Sequence, residues 1–135
     1  MKLNPHLAFN GECETAFRFY ERCFGGSIVT MLTYGDSPMA DQAPPEWSGK
    51  ILHATLTLGD NILAGSDSLP GQYEQPKGFH VLLGIGDPVE AERIFNVLAE
   101  NGKVLMPIQP TFWALRFGVL VDRFGIPWEV NCEQT

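Results

Sequence analysis

Four side chains in this sequence have types and positions suited to metal binding or proton transfer: His6, His53, His80 and Glu129. Each lies in a short apolar run that is predicted to be a β-strand, in which successive side chains alternate between two faces. In each run the apolar neighbours share one face, which leaves the histidine or the glutamate on the other. Imidazole nitrogens and carboxylate oxygens on such a surface would bind a divalent ion or move a proton.

The elements that position these residues follow one order, strand, helix and three strands, and that order occurs twice. The first half has a helix over 14–24 that Gly25 ends, and strand-like runs at 7–9, 27–34, 51–58 and 61–64. In the second half, Asp87 caps a helix that Gly102 ends, and the strand-like runs are 79–85, 104–108, 116–122 and 127–131. We therefore expect one domain over 1–135, with module one at about 1–67, a linker at about 68–77 and module two at about 78–135.

Composition excludes several classes of function. The 135 residues carry a net charge of −7, with 16 acidic against 9 basic residues, which argues against a nucleic-acid partner and an anionic membrane surface. No apolar run approaches the roughly 20 residues of a membrane helix, and the N-terminus does not read as a signal peptide. The three cysteines form no CxxC pair and fit reduced thiols, so we expect a cytoplasmic protein. No Gly-rich phosphate loop supports a nucleotide-binding or methyltransferase fold.

Several motifs together resemble the PhnB-like family of the vicinal oxygen chelate superfamily, which includes glyoxalases, bleomycin resistance proteins and dioxygenases. They are Phe9-Asn10-Gly11, Phe19-Tyr20, Phe24-Gly25-Gly26, Tyr34-Gly35-Asp36, Thr111-Phe112-Trp113-Ala114 and Asp122-Arg123-Phe124-Gly125-Ile126-Pro127-Trp128. The resemblance covers nearly the whole chain. It implies an α+β fold, in which two βαβββ modules form a cupped mixed sheet around a cleft, and a homodimer. It leaves the reaction open, because superfamily members include lyases, isomerases, transferases, dioxygenases and binding proteins.

The resemblance also implies a place for metal ligands, on the first and last strands of each module. In this sequence those places hold His6, Leu63 or Ala64, His80 and Glu129. Two imidazoles and one carboxylate would leave positions on a zinc, manganese, nickel or iron ion for water and substrate. The alternative is that the histidines are ordinary cleft residues and that Glu129 is solvated or ion-paired.

Each of the other residues predicted to line the cleft has both a functional and a structural interpretation. His53 would be a general base or support a ligand, or it would be a hydrogen-bonded structural histidine. Trp113 and Phe112 would stack on a planar or apolar substrate, or seal the core or a dimer. Arg116 would hold an anionic group, or be a solvated strand arginine.

Two functions follow from these residues. One is a metal-dependent lyase, isomerase, transferase or dioxygenase that acts on a small oxygen-bearing substrate, with Glu129 and His53 as catalytic groups. The other is a metal-free protein of the bleomycin-resistance type that sequesters a small molecule against Trp113 and Phe112.

Overall fold

The computed structural model describes residues 1–133, which fall into two compact units. The first unit, Met1–Gln75, contains one βαβββ module, and the second, which begins at Pro76, contains another. The described part of the chain has no helix that is both long and apolar enough to cross a membrane.

The first module is a four-stranded mixed sheet with one helix. Strand order is β1-β4-β3-β2, with β1 parallel to β4 and the other pairs antiparallel. Two short 3-10 helices, Ala40–Gln42 and Pro45–Trp47, lie between β2 and β3. The bounds are β1 His6–Phe9, α1 Cys13–Phe24, β2 Ser27–Thr33, β3 Ile51–Leu58 and β4 Asn61–Asp67.

The second module repeats this arrangement. Its strand order is β5-β8-β7-β6, with β5 parallel to β8 and the other pairs antiparallel. The bounds are β5 Val81–Gly84, α2 Pro88–Leu98, β6 Lys103–Gln109, β7 Ala114–Val121 and β8 Pro127–Glu133.

Each helix covers one face of its own sheet and packs on a strand glycine. Phe17 of α1 and Phe95 of α2 are both buried. A Cβ added at Gly65 would lie 2.7 Å from the Phe17 ring, and one added at Gly118 would lie 2.5 Å from the Phe95 ring. The absence of a side chain at these glycines therefore lets a large ring lie directly on the strand.

The two helices begin differently. The predicted cap of α2 is present, since the Asp87 side chain accepts a hydrogen bond from the Glu90 amide at 3.2 Å. Glu12, at the start of α1, makes no side-chain cap. Instead Asp67, at the far end of β4, accepts from the Cys13 amide at 3.0 Å and from the Ile51 amide at 2.8 Å. A buried carboxylate 54 residues away thus satisfies the first helical amide.

Only β3 has the predicted bounds, and the differences at β4 and β5 bear on the candidate site. Strand β4 continues beyond Ala64 to Asp67, because β1 and β3 both pair with it, although glycine and serine there have low strand propensity. Strand β5 begins at Val81 instead of residue 79. Its ladder with β8 starts at Trp128, beside Pro127, whose nitrogen carries no hydrogen to extend the pairing.

The predicted fold class is confirmed: the protein is an α+β protein built from two βαβββ modules. The three cysteines, Cys13, Cys23 and Cys132, are free and buried.

Candidate functional site

We call the sheet face opposite α1 the first open face. His6 pairs with Ala64, which pairs in turn with Thr55, so these three side chains lie on the same face. Leu7, the next residue of β1, is buried toward α1. His6 therefore lies on the sheet face that the alternation of side chains predicted.

His6 makes two contacts on this face. Its Nε2 lies 3.0 Å from Ser66 Oγ, and its ring stacks at 22° to the His53 ring, with 6.3 Å between the ring centres. Burial and, to a smaller extent, the nearby His53 charge lower the pKa of His6 from its usual value of 6.5. At neutral pH the ring is therefore mainly a neutral imidazole, the form that binds metal ions and accepts protons.

Ser66 is a member of this cluster that the sequence analysis did not identify. The predicted strand ended at Ala64, so no sheet face was predicted for the Ser66 side chain. In the structure it pairs with Ala8 of β1 and lies beside His6. Extension of the predicted strand through Gly65 would have placed Ser66 on the same face as Ala64, because side chains two residues apart in a strand share a face.

We call the sheet face opposite α2 the second open face. Glu129 pairs with Leu82 and with Val119 on this face. Its neighbours Trp128 and Val130 are fully buried on the helix side, whereas Glu129 is half-buried. Glu129 thus lies on the sheet face that the sequence predicted. His80 is exposed and precedes β5. It was predicted to lie in a strand, so the sheet face predicted for it has no meaning in the structure.

The predicted ligand set is divided between the two units: His6 lies in the first, and His80 and Glu129 lie in the second. Within residues 1–133, no three side chains of His, Cys, Asp or Glu form a group that could hold a metal ion. His6 by itself suits a ligand role, because it is a mainly neutral imidazole with one nitrogen hydrogen-bonded to Ser66. The three-residue site remains a prediction.

Aromatic side chains project at the start of β7. Phe112 is 91% exposed and Trp113 is 46% exposed, so neither fills the core of this chain. Their rings meet edge to face at 4.7 Å between centres, and Trp113 meets Phe117 in the same way at 5.2 Å. Phe117 pairs with Asn131, two residues along β8 from Glu129, so it belongs to the second open face. The three rings form an aromatic wall at this face, in which Phe112 and Trp113 are exposed and Phe117 is half-buried.

Arg116 is half-buried, and its guanidinium group makes two hydrogen bonds within the chain. Its Nε donates to Glu92 of α2 at 2.6 Å, and its Nη1 donates to the Leu115 carbonyl at 2.7 Å. An anionic ligand at this guanidinium would therefore have to replace the Glu92 carboxylate.

Comparisons with known proteins agree with this architecture. Residues 1–131 match a family model described as 3-demethylubiquinone-9 3-methyltransferase. Protein YjdN of Escherichia coli K12 is 34% identical over 97% of this chain and 95% of its own length. The crystal structure of PA1353 from Pseudomonas aeruginosa superposes with a TM-score of 0.92 at 47% identity, and covers 100% of this chain and 99% of its own.

A structure from Bacillus cereus, described as a putative 3-demethylubiquinone-9 3-methyltransferase and PhnB protein, has a TM-score of 0.81 at 27% identity, covering 98% of this chain and 99% of its own. At the level of fold alone, a possible glyoxalase from Bacillus cereus matches at a TM-score of 0.64 and 19% identity, covering 98% of this chain and 99% of its own. The fosfomycin resistance protein FosX from Mesorhizobium loti matches at 0.60 and 14%, covering 99% and 92%.

These likenesses first define the class, a protein of two βαβββ modules with the glyoxalase-like fold. Within that class, the chain belongs to the PhnB-like family whose model is described as 3-demethylubiquinone-9 3-methyltransferase, as the motifs predicted. The family's description names a methyltransferase, whereas the fold is the glyoxalase-like one and not a nucleotide-binding α/β fold.

Proposed function

We propose that this protein is a divalent-metal-dependent enzyme that acts on a small oxygen-bearing substrate, with His6, His80 and Glu129 as ligands of a zinc, manganese, nickel or iron ion. The observation that carries the proposal is the position of His6, which lies on an open sheet face with Nε2 3.0 Å from Ser66 Oγ. Ligating histidines are typically oriented by such a hydrogen bond to the second ring nitrogen.

The second module supports the proposal through Glu129. Its carboxylate lies on the second open face, and no hydrogen bond or ion pair of this side chain occurs within residues 1–133. Glu129 is thus available as an oxygen ligand or as a proton acceptor. His80 is exposed directly ahead of β5, so its ring is accessible to an ion.

The proposed chemistry divides between the ion and the chain. A bound ion would polarise a substrate oxygen or lower the pKa of a bound water. Glu129 or His53 would accept a proton from the substrate. The wall of Phe112, Trp113 and Phe117 would bind the apolar or planar part of the substrate.

We also propose that the protein is a cytoplasmic homodimer. Strand β6 lies at the edge of the second sheet, and its apolar residues Val104, Leu105 and Met106 are 45%, 47% and 43% exposed. An apolar edge strand is a surface on which a second copy would pack. Light scattering at micromolar concentration is expected to give twice the chain mass, and the mass of one chain would refute the dimer.

Metal binding tests the proposed function directly. Isothermal titration of tag-free protein with Zn²⁺ and Mn²⁺ is expected to give one ion per chain, and His80→Ala is expected to lose this binding. Lys77→Ala, an exposed neighbour in the same segment, serves as the matched control and should bind like the wild type. Wild-type protein that binds no ion would refute the metal-dependent enzyme and leave the ligand-sequestering protein as the better account.

A further inference from the structure

One buried polar atom on the second open face has no hydrogen-bond partner. It is the side-chain oxygen Oδ1 of Asn131, which accepts no hydrogen bond within residues 1–133. Asn131 follows Glu129 by two residues on β8, so both side chains lie on the second open face. Native proteins seldom leave a buried polar atom without a partner, and each such atom needs a specific explanation.

The register of the second sheet leaves open space on one side of Asn131. Its partner on β5 is Gly84, and a Cβ added at Gly84 would meet no atom within 4 Å. Leu82, two residues earlier on β5, lies on the same face and is 58% exposed. A molecule placed above Gly84 would therefore lie between the apolar Leu82 side chain and the Asn131 amide.

The other side of Asn131 is aromatic. Its partner on β7 is Phe117, whose ring meets the Trp113 ring edge to face with 5.2 Å between centres. The Cβ atoms of residues paired across antiparallel strands are about 4.5–5.5 Å apart, so the amide lies beside the base of the Phe117 side chain. Both aromatic side chains and the amide belong to the second unit, so this arrangement does not depend on the first module. A planar group at Asn131 would have aromatic surface at its side.

The chemistry of the unpartnered atom defines the group that would complement it. A carbonyl oxygen accepts hydrogen bonds and cannot donate them, so its complement is a hydroxyl or an N–H group. The terminal torsion of asparagine is broad, which lets the amide tilt toward the space above Gly84. A ligand in that space would exclude water, and a hydrogen bond is stronger where water is excluded.

We propose that the second open face binds a planar aromatic molecule that carries a hydroxyl or N–H group, and that Asn131 Oδ1 accepts a hydrogen bond from this group. The inference rests on the proposed function in one respect, that this face receives the substrate, but the binding requires no metal ion. Glu129 lies about 7 Å away along the strand, so a ring bound at Asn131 would present a neighbouring position to that carboxylate. Asn131 thus determines specificity, because it favours molecules that have a donor.

Two probes of similar size test the proposal, 2-naphthol, which has an O–H donor, and 2-methoxynaphthalene, which has none. Each is titrated into EDTA-treated wild-type protein, and the dissociation constant is taken from the shift of the Trp113 indole signal in NMR spectra. We expect 2-naphthol to bind about tenfold more tightly, as one net hydrogen bond would give. Hydrophobic contact alone would favour the methoxy compound, which has an additional methyl group. Equal affinities, or tighter binding of 2-methoxynaphthalene, would overturn the proposal.

The variant Asn131→Leu tests the role of the amide. It is expected to lose the preference for 2-naphthol, and a preference that survives the substitution would overturn the role of Asn131. The matched control is Gln109→Leu, which removes an exposed amide from β6, on the far side of Phe117. This control is expected to keep the wild-type preference.

The stability of Asn131→Leu gives a second, independent readout. Because the substitution removes a buried acceptor that has no partner, the urea midpoint is expected to equal or exceed that of the wild type. A markedly lower midpoint would show that Oδ1 already has a partner within the protein, and would overturn the proposal.

The metal titration described above separates this inference from the proposed function. Protein that binds no metal ion but prefers 2-naphthol would refute the metal-dependent enzyme and support the site at Asn131. Protein that binds one ion per chain but shows no preference between the probes would have the opposite meaning.

Discussion

The two open faces differ strongly although the two modules share strand order and strand directions. On the first face, β1, β3 and β4 present His6, His53 and Ser66. On the second face, Glu129 lies among apolar side chains, with Leu82 and Val119 at paired positions and Phe117 farther along β7. The same backbone thus supports an imidazole cluster in one module and a largely apolar, aromatic surface with one carboxylate in the other.

The two modules are alike on the helix side of their sheets and differ on their open faces. In both, a helix covers one sheet face and a phenylalanine packs on a strand glycine. The open faces carry little of that packing, so their residues can change without loss of the fold. Chemistry is therefore a property of the open faces, and stability is a property of the helix side and the strand ends.

The largest expected effects come from the buried carboxylates that anchor each module. Asp122 accepts hydrogen bonds from the Phe124 and Ile126 amides and from the Trp128 indole, and Asp67 accepts from two amides. Each buried donor left without a partner costs about 1–3 kcal/mol. We therefore expect Asp67→Ala to lower the free energy of unfolding by about 3 kcal/mol, and Asp122→Ala by more, in urea denaturation.

The matched control is Asp60→Ala, at the exposed turn between β3 and β4, which should change stability by less than about 0.5 kcal/mol. A loss below about 1 kcal/mol for either buried carboxylate would contradict its role as an anchor.

Intermediate effects are expected at the two glycines beneath the helices. Gly65→Ala and Gly118→Ala would force a methyl group against a buried ring, and overpacking of this kind costs about 1–3 kcal/mol. The control is Gly84→Ala on β5, where an added Cβ meets no atom within 4 Å. Thermal unfolding should show comparable losses for the first two variants and none for the third. A large loss of thermal stability for only one of the two variants would show that the helices do not pack on their sheets in the same way.

The smallest effect is expected at the ion pair between Arg116 and Glu92. The side chains are 30% and 47% exposed, so Glu92→Ala should lower stability by less than about 1 kcal/mol. The variant would free the guanidinium of Arg116, and we expect weak phosphate binding that the wild type lacks. Equal phosphate binding by both proteins would show that Glu92 does not control access to Arg116.

The sequence predicted local features better than long-range ones. The cap of α2 lies beside its helix, at Asp87, so the residue pattern alone predicted it. The cap of α1 is supplied by Asp67, and no local pattern indicates a partner 54 residues away. The repeated element order and the faces of His6 and Glu129 could likewise be predicted, because alternation within a strand is a local property.

The candidate site was only partly predictable for the same reason. Ser66 was missed because β4 continues through Gly65, whose place in a strand depends on pairing with β1 and β3 on both sides. The engagement of Arg116 by Glu92 joins a strand to a helix 24 residues away, so the sequence could not predict it. In both cases the structure depends on contacts between residues that are distant in the sequence, which a local residue pattern does not reveal.

The most direct measurement for the account is anomalous diffraction from crystals grown with one equivalent of Zn²⁺. We expect an anomalous peak at the first open face, about 2.0–2.1 Å from a ring nitrogen of His6. Additional ligands in the same map would test the proposed set, in which His80 and Glu129 bind the same ion as His6. A well-occupied zinc peak elsewhere, with none at His6, would contradict the account.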